Sequence, residues 1–482
     1  MNLTVGLDPS RAGCIAAAAL VVAALGVFAT PSPGPPARDR PSLVLVVIDT
    51  LRADRLGTYG YARPTSPNID RFATGAVVYE TAITPAPFTM PAMASMFTGL
   101  YPDRTGVFDH SARHRLTDTP SPTLAELARG AGYRTAAVVT NPWLANRAQG
   151  FDRGFDRYRT RAAAGEHGRT FTADLVTRSA VDLLDELTGQ PEPFLLWVHY
   201  LDPHMPYTPS SSARDALGVA QRTSAVIDDF VGNRRSKSEI YFGGDYPGRE
   251  LARTRDLYDA EVRAVDDGFG RLLEALQRSG RADDTVVIVA SDHGESLGEH
   301  GLFFAHDHTL YEELVHVALI VREPGKGPAR IGAPVSLVDV TPTLCTALAL
   351  PCPRGLDGRI LPSRAGSGRD RTVFAASAPW RKRYATSPHV TVRGTDGRWT
   401  MARTRDTKLL RIPRADGVVY ERFDLTDDAA ETAPSDEADE GLSSALERWR
   451  AAMDAGRREP ATGTAPLGRD VRDSLRELGY LE

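Results

Sequence analysis

Two apolar runs, each followed by side chains that bind metal ions, constrain this chain more than any other feature. The first is Leu43–Ile48, followed directly by Asp49, and the second is Val286–Ala290, followed one residue later by Asp292 and His293. Runs that are apolar throughout are typical of strands buried on both faces of a parallel sheet. Because the carboxyl ends of parallel strands meet at one edge, we expect Asp49, Asp292 and His293 to lie together there.

Apolar runs and helical patterns alternate from residue 43 to residue 350, which predicts an α/β fold with a central, mostly parallel sheet. Further strands are predicted at Thr135–Val139, Phe194–His199 and Val317–Val321, and helices at Thr123–Arg129, Phe171–Leu187, Leu251–Gln277 and Ser336–Leu350. One stretch, Ser210–Gly248, has no clear period. We interpret it as a surface insertion near the site, either a lid or a mobile loop without a role.

The pattern changes beyond about residue 363, where short strands and turns replace the alternation of strands and helices. Antiparallel strands are predicted at Thr372–Ser377, His389–Arg393, Trp399–Arg403 and Lys408–Ile412, with a turn at Gly394–Gly397 and a helix at Leu442–Ala455. We therefore divide the chain into a catalytic domain over residues 37–362, a smaller antiparallel α+β subdomain over residues 363–458, and a linker and tail over residues 459–482.

The amino terminus predicts export from the cytoplasm. Residues 13–29 carry no charge, Arg11 precedes them, and a Pro-rich stretch at residues 30–36 follows. This pattern is typical of a secretory signal peptide, with an uncleaved membrane anchor as the alternative, so residues 1–36 are assigned to that segment and its linker. Either interpretation puts the rest of the chain outside the cytoplasm. It would be periplasmic or secreted if the segment is a signal peptide, and held at a membrane by residues 13–29 if the segment is an anchor.

Charge and cysteine content exclude some classes of function. The net charge of −5 over 482 residues argues against a nucleic-acid partner, because proteins that bind nucleic acids usually carry a basic face. Of the cysteines, Cys14 lies in the apolar leader, and Cys345 and Cys352 are close enough in sequence for a disulfide, with two buried thiols as the alternative. The cysteine spacing indicates no thiolate zinc site.

Thr89 begins a run of small and apolar residues at helical spacing that ends at Gly99, with Pro91 in its first turn. These boundary residues place Thr89 near a helix N-terminus, where the ordinary role of a Thr is to cap the helix. The functional alternative combines two effects: the helix dipole stabilises negative charge, and a bound dication lowers the pKa of an alcohol. Both effects convert a poor nucleophile into an alkoxide.

The side chains of Asp49, Asp292 and His293 offer two hard oxygens and one imidazole nitrogen. This donor set favours Mn²⁺ or Zn²⁺, with Ca²⁺ or Mg²⁺ as alternatives that suit an imidazole less well. With the hydroxyl of Thr89 added, the sequence predicts a site for one divalent metal ion. A hydroxyl activated in this way indicates displacement at a charged phosphorus or sulfur centre.

From Ser42 onward the chain also carries a series of ordered motifs: Val47–Asp54, Ser66–Asp70, Pro91–Pro102, Val198–Tyr207, Ser291–Glu295, Thr309–Glu313 and Asp339–Leu344. With these motifs it resembles the sulfatase branch of the alkaline phosphatase superfamily. The resemblance implies an alkaline-phosphatase-like sandwich fold and a metal-dependent hydrolase of sulfate or phosphate esters.

Three positions depart from that family. Its sulfatases have a Cys or Ser, matured to formylglycine, where this chain has Thr89, and an Arg where it has Met93. They usually have paired Asp residues where this chain has Asp49 and Thr50. Thr cannot become the aldehyde hydrate that releases sulfate by elimination, whereas a phospho-Thr is cleaved by in-line attack at phosphorus. The set Asp49, Thr89, Asp292 and His293 resembles the single-metal site of lipoteichoic acid synthases and phosphoethanolamine transferases, which use Thr. A phosphoester substrate is therefore favoured.

The resemblance places four histidines around the substrate: His199, His204, His306 and His308. In that family such a ring supplies a general acid for the leaving group and positive charge for the equatorial oxygens. We favour His204 and His306 for these roles, and the register between His306 and His308 stays open. A structural role is favoured for three neighbouring residues, Arg52, Asp54 and Asn141.

The predicted function is hydrolysis, in which Thr89 attacks the phosphorus, or less favourably the sulfur, of an ester. A histidine protonates the leaving group, and water releases the covalent intermediate. The substrate would be a small molecule or an ester on a glycan or lipid. The alternatives are a phospho-group transferase that modifies an envelope glycan or lipid, a sulfuric ester hydrolase that needs no formylglycine, and a non-catalytic binding module.

Overall fold

The computed structural model describes residues 40–109, 114–160, 172–241, 246–306, 308–364, 366, 370–379, 394–435, 439–458 and 467–477. The predicted leader and its linker, the strand predicted at His389–Arg393 and most of the predicted linker and tail lie outside these ranges. Within them, no helix combines the length and the apolar character that crossing a membrane requires.

Regular elements are numbered along the chain. The strands are β1 (Ser42–Ile48), β2 (Val77–Tyr79), β3 (Ala82–Ile83), β4 (Arg134–Val139), β5 (Arg157–Arg159), β6 (Phe194–Tyr200), β7 (Thr285–Ser291), β8 (His316–Val317), β9 (Leu319–Arg322), β10 (Ala329–Ile331), β11 (Val335–Ser336), β12 (Val373–Ala376), β13 (Thr400–Arg403), β14 (Thr407–Arg414) and β15 (Gly417–Asp424).

The α-helices are α1 (Pro67–Ala73), α2 (Thr89–Thr98), α3 (Pro102–Thr105), α4 (Leu124–Gly130), α5 (Pro142–Ala145), α6 (Ala173–Thr188), α7 (Ser211–Ala216), α8 (Ala225–Val231), α9 (Lys237–Tyr241), α10 (Gly248–Arg278), α11 (Glu312–Val315), α12 (Val340–Ala347), α13 (Glu440–Gly456) and α14 (Arg469–Glu477). Short 3-10 helices lie at Ala53–Arg55, Gly57–Tyr59, Leu116–Asp118, Arg147–Gln149, Ala282–Asp284, Glu299–Gly301 and Leu337–Asp339.

The large sheet has the strand order β10-β2-β9-β7-β1-β6-β4-β5. Strand β1 pairs in parallel with β6 on one side and with β7 on the other, and all of its residues are buried. Strand β9 runs antiparallel to both of its neighbours, β2 and β7. The predicted α/β fold with a central, mostly parallel sheet is therefore confirmed.

Helices cover both faces of this sheet, which is why its central strands are apolar throughout. Alternate residues of β1 enter different cores, because successive side chains of a strand point to opposite faces. Val44 and Val46 pack with helices α1, α6 and α10. Leu45 and Val47 pack with α2, α4 and α12 on the other face. The central strands are thus held rigidly between two helical layers.

Local sequence signals set the ends of two helices on the α2 side. Helix α2 begins at Thr89 and closes at Gly99, whose φ of 72° lies in the left-handed region that ends helices. Helix α4 begins with a capping box, in which the Thr123 hydroxyl accepts from the Glu126 backbone N–H and the Glu126 carboxylate accepts from the Thr123 N–H. The predicted starts of both helices are confirmed.

The stretch at residues 210–248 is largely helical, although no period was visible in its sequence. It contains α7, α8 and α9, and the side chains of Ile227, Phe230 and Ile240 are buried in the core on the α10 side. The alternative of a mobile loop was therefore wrong, and a lid stays a prediction. Helices of six, seven and five residues complete too few turns for a hydrophobic period to emerge.

The strands β12 to β15 form a separate antiparallel sheet. One of its faces packs on α13 through Leu446 and Trp449, and Trp399 and Met401 pack with Leu314 on the other. The strands predicted near residues 372, 399 and 408 are confirmed, whereas β15 was missed because its exposed and charged residues show no buried face. Ala37–Glu482 forms one compact unit, so the boundary predicted at residue 362 stays a prediction.

The thiols of Cys345 and Cys352 are free, the first buried and the second exposed. Burial raises the pKa of Cys345, and the adjacent thiol of Cys352 raises it further. The two cysteines are therefore close in space without a disulfide in this structure.

A buried ion-pair network ties the small sheet to helix α11. The ammonium of Lys408 is fully buried and lies 3.2 Å from Glu312 and 2.8 Å from Glu431. Arg403 donates two hydrogen bonds to the same Glu312 carboxylate, at 3.1 and 3.0 Å. Burial opposes the ionised form of Glu312, yet the charges of Arg403 and Lys408 hold its pKa well below the ordinary value.

We expect Lys408→Ala to lower the free energy of unfolding by about 3–5 kcal/mol, because it leaves the buried carboxylate of Glu431 without its cation. Urea denaturation measures this. Lys326→Ala is the control: its ammonium lies 2.6 Å from Glu323 but is 40% exposed, so the change should stay within about 1 kcal/mol. Equal effects of the two substitutions would contradict the role assigned to the network.

Candidate active site and metal centre

The carboxyl ends of three adjacent parallel strands deliver the polar side chains of the site. Asp49 follows β1 directly, Asp292 follows β7, and His199 lies in β6 opposite Val47 of β1. The side chains of Asp49, Asp292 and His199 are completely buried. Because β1 lies between β6 and β7, these residues meet at one edge of the sheet, as the sequence predicts.

Each of the two carboxylates has one satisfied oxygen and one orphaned oxygen. The Nδ2 of Asn141 donates to Asp49 Oδ2 at 2.7 Å. The backbone N–H groups of Thr50 and His293 donate to Asp292 Oδ1 at 3.3 and 2.8 Å. Asp49 Oδ1 and Asp292 Oδ2 have no hydrogen-bond partner in the described structure. Buried carboxylate oxygens without donors are the atoms that a cation would satisfy.

The imidazole of His293 faces both orphaned oxygens. Its Nδ1 lies 2.9 Å from the Gly294 carbonyl oxygen, which can only accept, so Nδ1 carries the proton. Its Nε2 lies 3.6 Å from Asp49 Oδ1 and 3.6 Å from Asp292 Oδ2. A backbone carbonyl that fixes one ring nitrogen in this way is the usual support of a metal-binding histidine.

Thr89 is the first helical residue of α2, and Phe88 occupies the capping position without a side-chain capping bond. The Oγ1 of Thr89 instead lies 3.3 Å from His293 Nε2 and 3.5 Å from Asn141 Nδ2. The structure thus brings together Asp49, Thr89 and His293, with Asp292 beside them. A hydroxyl in this position faces the carboxylates and the imidazole rather than closing the helix.

Asn141 joins the site, although the sequence favoured a structural role for it. Its Oδ1 accepts from the Trp143 backbone N–H at 3.0 Å and so caps helix α5. Its Nδ2 donates to Asp49 at 2.7 Å and lies 3.5 Å from Thr89. One amide therefore caps a helix and orients the carboxylate and the hydroxyl, a double role that the spacing of residues along the chain does not reveal.

Burial and mutual repulsion dominate the electrostatics of the site. Burial, followed by the charge of Asp292, raises the pKa of Asp49 well above its ordinary value. Burial raises the pKa of Asp292 to about 7 and lowers that of His199 to about 3. In the described residues Asp49, His199 and Asp292 offer ligand atoms that all lie within 4.8 Å of one another. This donor set fits a divalent metal ion, which would favour both ionised carboxylates and a neutral imidazole.

Comparison with known proteins assigns the chain to a family. A family model described as Sulfatase matches residues 41–350. The chain belongs to the Sulfatase family. The match spans β1, α2, β6 and β7, the elements that carry the site, so the chain is a sulfatase-like ester hydrolase, as the sequence motifs predict.

The chain is similar to proteins named as sulfatases and to a protein named as a phosphonate monoester hydrolase. It is 26% identical over 357 residues to the "Uncharacterized sulfatase YidJ" of Escherichia coli, covering 66% of this chain and 70% of YidJ. The solved phosphonate monoester hydrolase of Agrobacterium radiobacter has a TM-score of 0.66 at 21% identity, covering 86% and 95% of the two chains. The structure of Ps i-CgsB with k-i-k-neocarrahexaose has a TM-score of 0.65 at 20% identity, covering 91% and 97%.

Two further histidines lie beside the sulfatase site. The ring centroids of His306 and His293 are 4.6 Å apart, and those of His306 and His204 are 5.1 Å apart. His204 Nδ1 donates to the Met205 carbonyl oxygen at 2.6 Å. Burial, then the neighbouring His306, lowers the pKa of His204 to about 4. His308 lies two residues beyond His306 and is half-buried.

Glu295 is a site residue to which the sequence analysis assigned no role. Its side chain is fully buried, its Oε1 lies 3.0 Å from His306 Nδ1, and its Oε2 accepts from the Tyr207 hydroxyl at 3.3 Å. The signal was available, because Glu295 follows Asp292 and His293 by only a few residues, but a carboxylate is a common surface residue. Its position shows that it orients His306.

Other residues singled out in the sequence have structural contacts. Arg52 pairs with Asp54 at 2.7 Å and with Glu299 at 2.9 Å. Its Nη1 also donates to the Glu295 carbonyl oxygen at 3.1 Å, so this guanidinium supports the loop that carries Glu295. Met93, which stands where sulfatases have an Arg, is buried in the apolar core beside α2.

We expect Asp49→Asn to stabilise the metal-free protein by on the order of 1–3 kcal/mol, because it removes one of two facing buried charges. The same substitution should abolish stabilisation by added Mn²⁺ or Zn²⁺, which for a saturating ion is about 2.7 kcal/mol at one hundred times Kd. Urea denaturation with and without metal measures both effects.

Asp103→Asn is the matched control, because Asp103 is equally buried but lies 2.7 Å from Arg398 and 2.9 Å from Arg457. Its loss should destabilise the protein whether or not metal is present. If Asp49→Asn also destabilised the metal-free protein, the interpretation of the carboxylate pair would be wrong.

Proposed function

We propose that this protein is a metal-dependent hydrolase in which Thr89 is the covalent nucleophile and a phosphorus ester is the preferred substrate. The observation that carries the proposal is the placement of the Thr89 hydroxyl 3.3 Å from His293 Nε2 at the start of a buried helix, beside two carboxylates with orphaned oxygens. Asp49, Thr89, Asp292 and His293 would hold the ion. A divalent ion bound there, with Mn²⁺ or Zn²⁺ favoured, would lower the pKa of the hydroxyl and offset charge on the ester oxygens.

Thr89 supports phosphorus chemistry because its covalent phosphate ester can be hydrolysed by direct attack of water. Attack by Oγ1 forms an O–P bond and breaks the bond from phosphorus to the leaving oxygen. Water then attacks phosphorus in line, which restores Thr89 and releases the phospho-product. The corresponding sulfate ester of Thr would need direct attack of water at sulfur, because Thr cannot form the aldehyde hydrate that eliminates sulfate.

The best-placed general acid is His306. The carboxylate of Glu295 beside its Nδ1 supports an imidazolium, whose Nε2 proton can pass to the leaving oxygen. His204 suits this role less well, because its pKa of about 4 keeps it neutral near pH 7 and its Nδ1 proton is held by the Met205 carbonyl. A neutral His204 next to His306 would instead shape the leaving-group side of the site.

Hydrolysis of sulfate esters is the second candidate, and the family supports it. The model that matches residues 41–350 is Sulfatase, and the relative YidJ is called a sulfatase. Among the structural neighbours, one is a phosphonate monoester hydrolase and another was solved with neocarrahexaose, an oligosaccharide. Together they support an ester of phosphorus or sulfur as the reacting group, with a glycan as one class of carrier.

The uncharged residues 13–29 support an extracytoplasmic location.

We expect Thr89→Ala to lower turnover of the best substrate by at least about 1,000-fold, because the covalent step is lost. Thr89→Ser should retain activity. The measurement is p-nitrophenol release from a matched phosphate diester, phosphonate monoester, phosphate monoester and sulfate, with Mn²⁺ or Zn²⁺ present. Mass spectrometry of rapidly quenched protein should find a phosphoryl group on residue 89.

Thr98→Ala is the matched control, because Thr98 lies at the other end of α2 and its hydroxyl donates to the Ala94 carbonyl oxygen at 2.7 Å. It should leave turnover close to the native value. Turnover highest on the aryl sulfate would favour the second candidate, and full activity of Thr89→Ala on all four esters would rule out both.

We expect His306→Ala to slow esters with alkyl leaving groups by about 100- to 10,000-fold, the usual contribution of a general acid, and p-nitrophenyl esters much less. An activated phenolate leaves without a proton, whereas an alkoxide needs one. The measurement is kcat/KM against the pKa of the leaving alcohol or phenol, whose dependence should steepen in the variant. A uniform loss across all leaving groups would show that His306 is not the acid.

A further inference from the structure

The imidazole of His199 is buried without the hydrogen bonds that normally accompany burial. Its side chain has no exposed surface, and neither Nδ1 nor Nε2 has a hydrogen-bond partner in the part of the chain that the structure describes. Leaving a buried polar atom unsatisfied destabilises the folded state, so most buried imidazoles have at least one partner. Among the described residues, none supplies the hydrogen-bond partner that the His199 imidazole lacks.

The orphaned nitrogens of His199 belong to a ring that lies close to the two carboxylates. One ligand atom each from Asp49, His199 and Asp292 lies within 4.8 Å of the other two. Asp49 Oδ1 and Asp292 Oδ2 likewise lack partners. Three side chains with unsatisfied atoms are thus brought together from three neighbouring strands, although each belongs to a different segment of the chain.

The position of His199 does not match that of the histidines on the substrate side. The rings of His293, His306 and His204 form a continuous series with centroid distances of 4.6 and 5.1 Å. The ring contact of His199 is with Trp197, edge to face at 5.9 Å, within its own strand. His199 opposes Val47, two residues before Asp49, and so lies below the carboxyl end of β1.

We propose that a ring nitrogen of His199 is a direct ligand of the divalent cation, so that the protein donors are two imidazoles and two carboxylates together with the Thr89 hydroxyl. This inference rests on the metal site of the proposed function and replaces the expectation that His199 contacts the substrate. A second imidazole shifts preference towards Zn²⁺, Mn²⁺ or Co²⁺ and away from Ca²⁺ and Mg²⁺, which prefer oxygen donors.

The experiment compares metal binding in native protein, His199→Ala and two controls after removal of metal by a chelator. Calorimetric titration with Zn²⁺ measures affinity, and X-ray absorption of the Zn²⁺-loaded protein counts imidazole ligands. We expect His199→Ala to weaken Zn²⁺ binding by at least about tenfold and to reduce the imidazole count from two to one. Val47→Ala, which removes bulk from the neighbouring strand on the same face, should change neither quantity, and neither should His204→Ala.

The outcomes separate this inference from the proposed function. Native protein that binds one Zn²⁺ with a single imidazole overturns the assignment of His199 and leaves the proposed hydrolase standing. An unchanged affinity and imidazole count in folded His199→Ala overturns it as well. Native protein that binds no Zn²⁺, Mn²⁺ or Co²⁺ overturns the proposed function itself. The imidazole count of the native protein needs no variant, so a failure of His199→Ala to fold does not remove the test.

Discussion

The buried carboxylates of Asp49 and Asp292 impose the constraint on which the rest of the site depends. Each accepts hydrogen bonds through one oxygen and leaves the other without a partner. Burial raises the pKa of both groups, and the two negative charges oppose each other. Two facing carboxylates in a dry site are stable in their ionised forms only when a cation lies between them. The surrounding structure is built to hold that arrangement in place.

Rigidity at this point comes from the centre of the large sheet. Strand β1 is hydrogen-bonded to β6 and β7 and covered by helices on both faces, so the residues at its end have little freedom. The donors that orient the carboxylates come from other segments: the amide of Asn141 at the start of α5, and the backbone of the loop after β7. The site is therefore a product of packing, and small shifts of these segments would change its geometry.

Much of this arrangement could be predicted from the sequence, and what was missed has a physical reason. Asp49 and Asp292 end runs whose apolar character identifies buried parallel strands, and Thr89 stands at a helix start marked by Pro91 and Gly99. Sequence alone favoured a structural role for Asn141 and assigned no role to Glu295, because each contacts the site through a partner more than ten residues away. The short helices at residues 210–248 were missed because their period is too brief to detect.

The sequence by itself determined the fold class and the family, since these follow from hydrophobic patterns and ordered motifs along the chain, and it predicted Asp49, Thr89, Asp292 and His293 as donors. Only the tertiary structure decided the partners of those donors. Hydrogen-bond satisfaction depends on distance in space, so the orphaned atoms of Asp49, Asp292 and His199 can be recognised only once the neighbours of each buried group are known. For the same reason only the register of β6 against β1, which pairs His199 with Val47, shows that His199 lies close to Asp49 and Asp292.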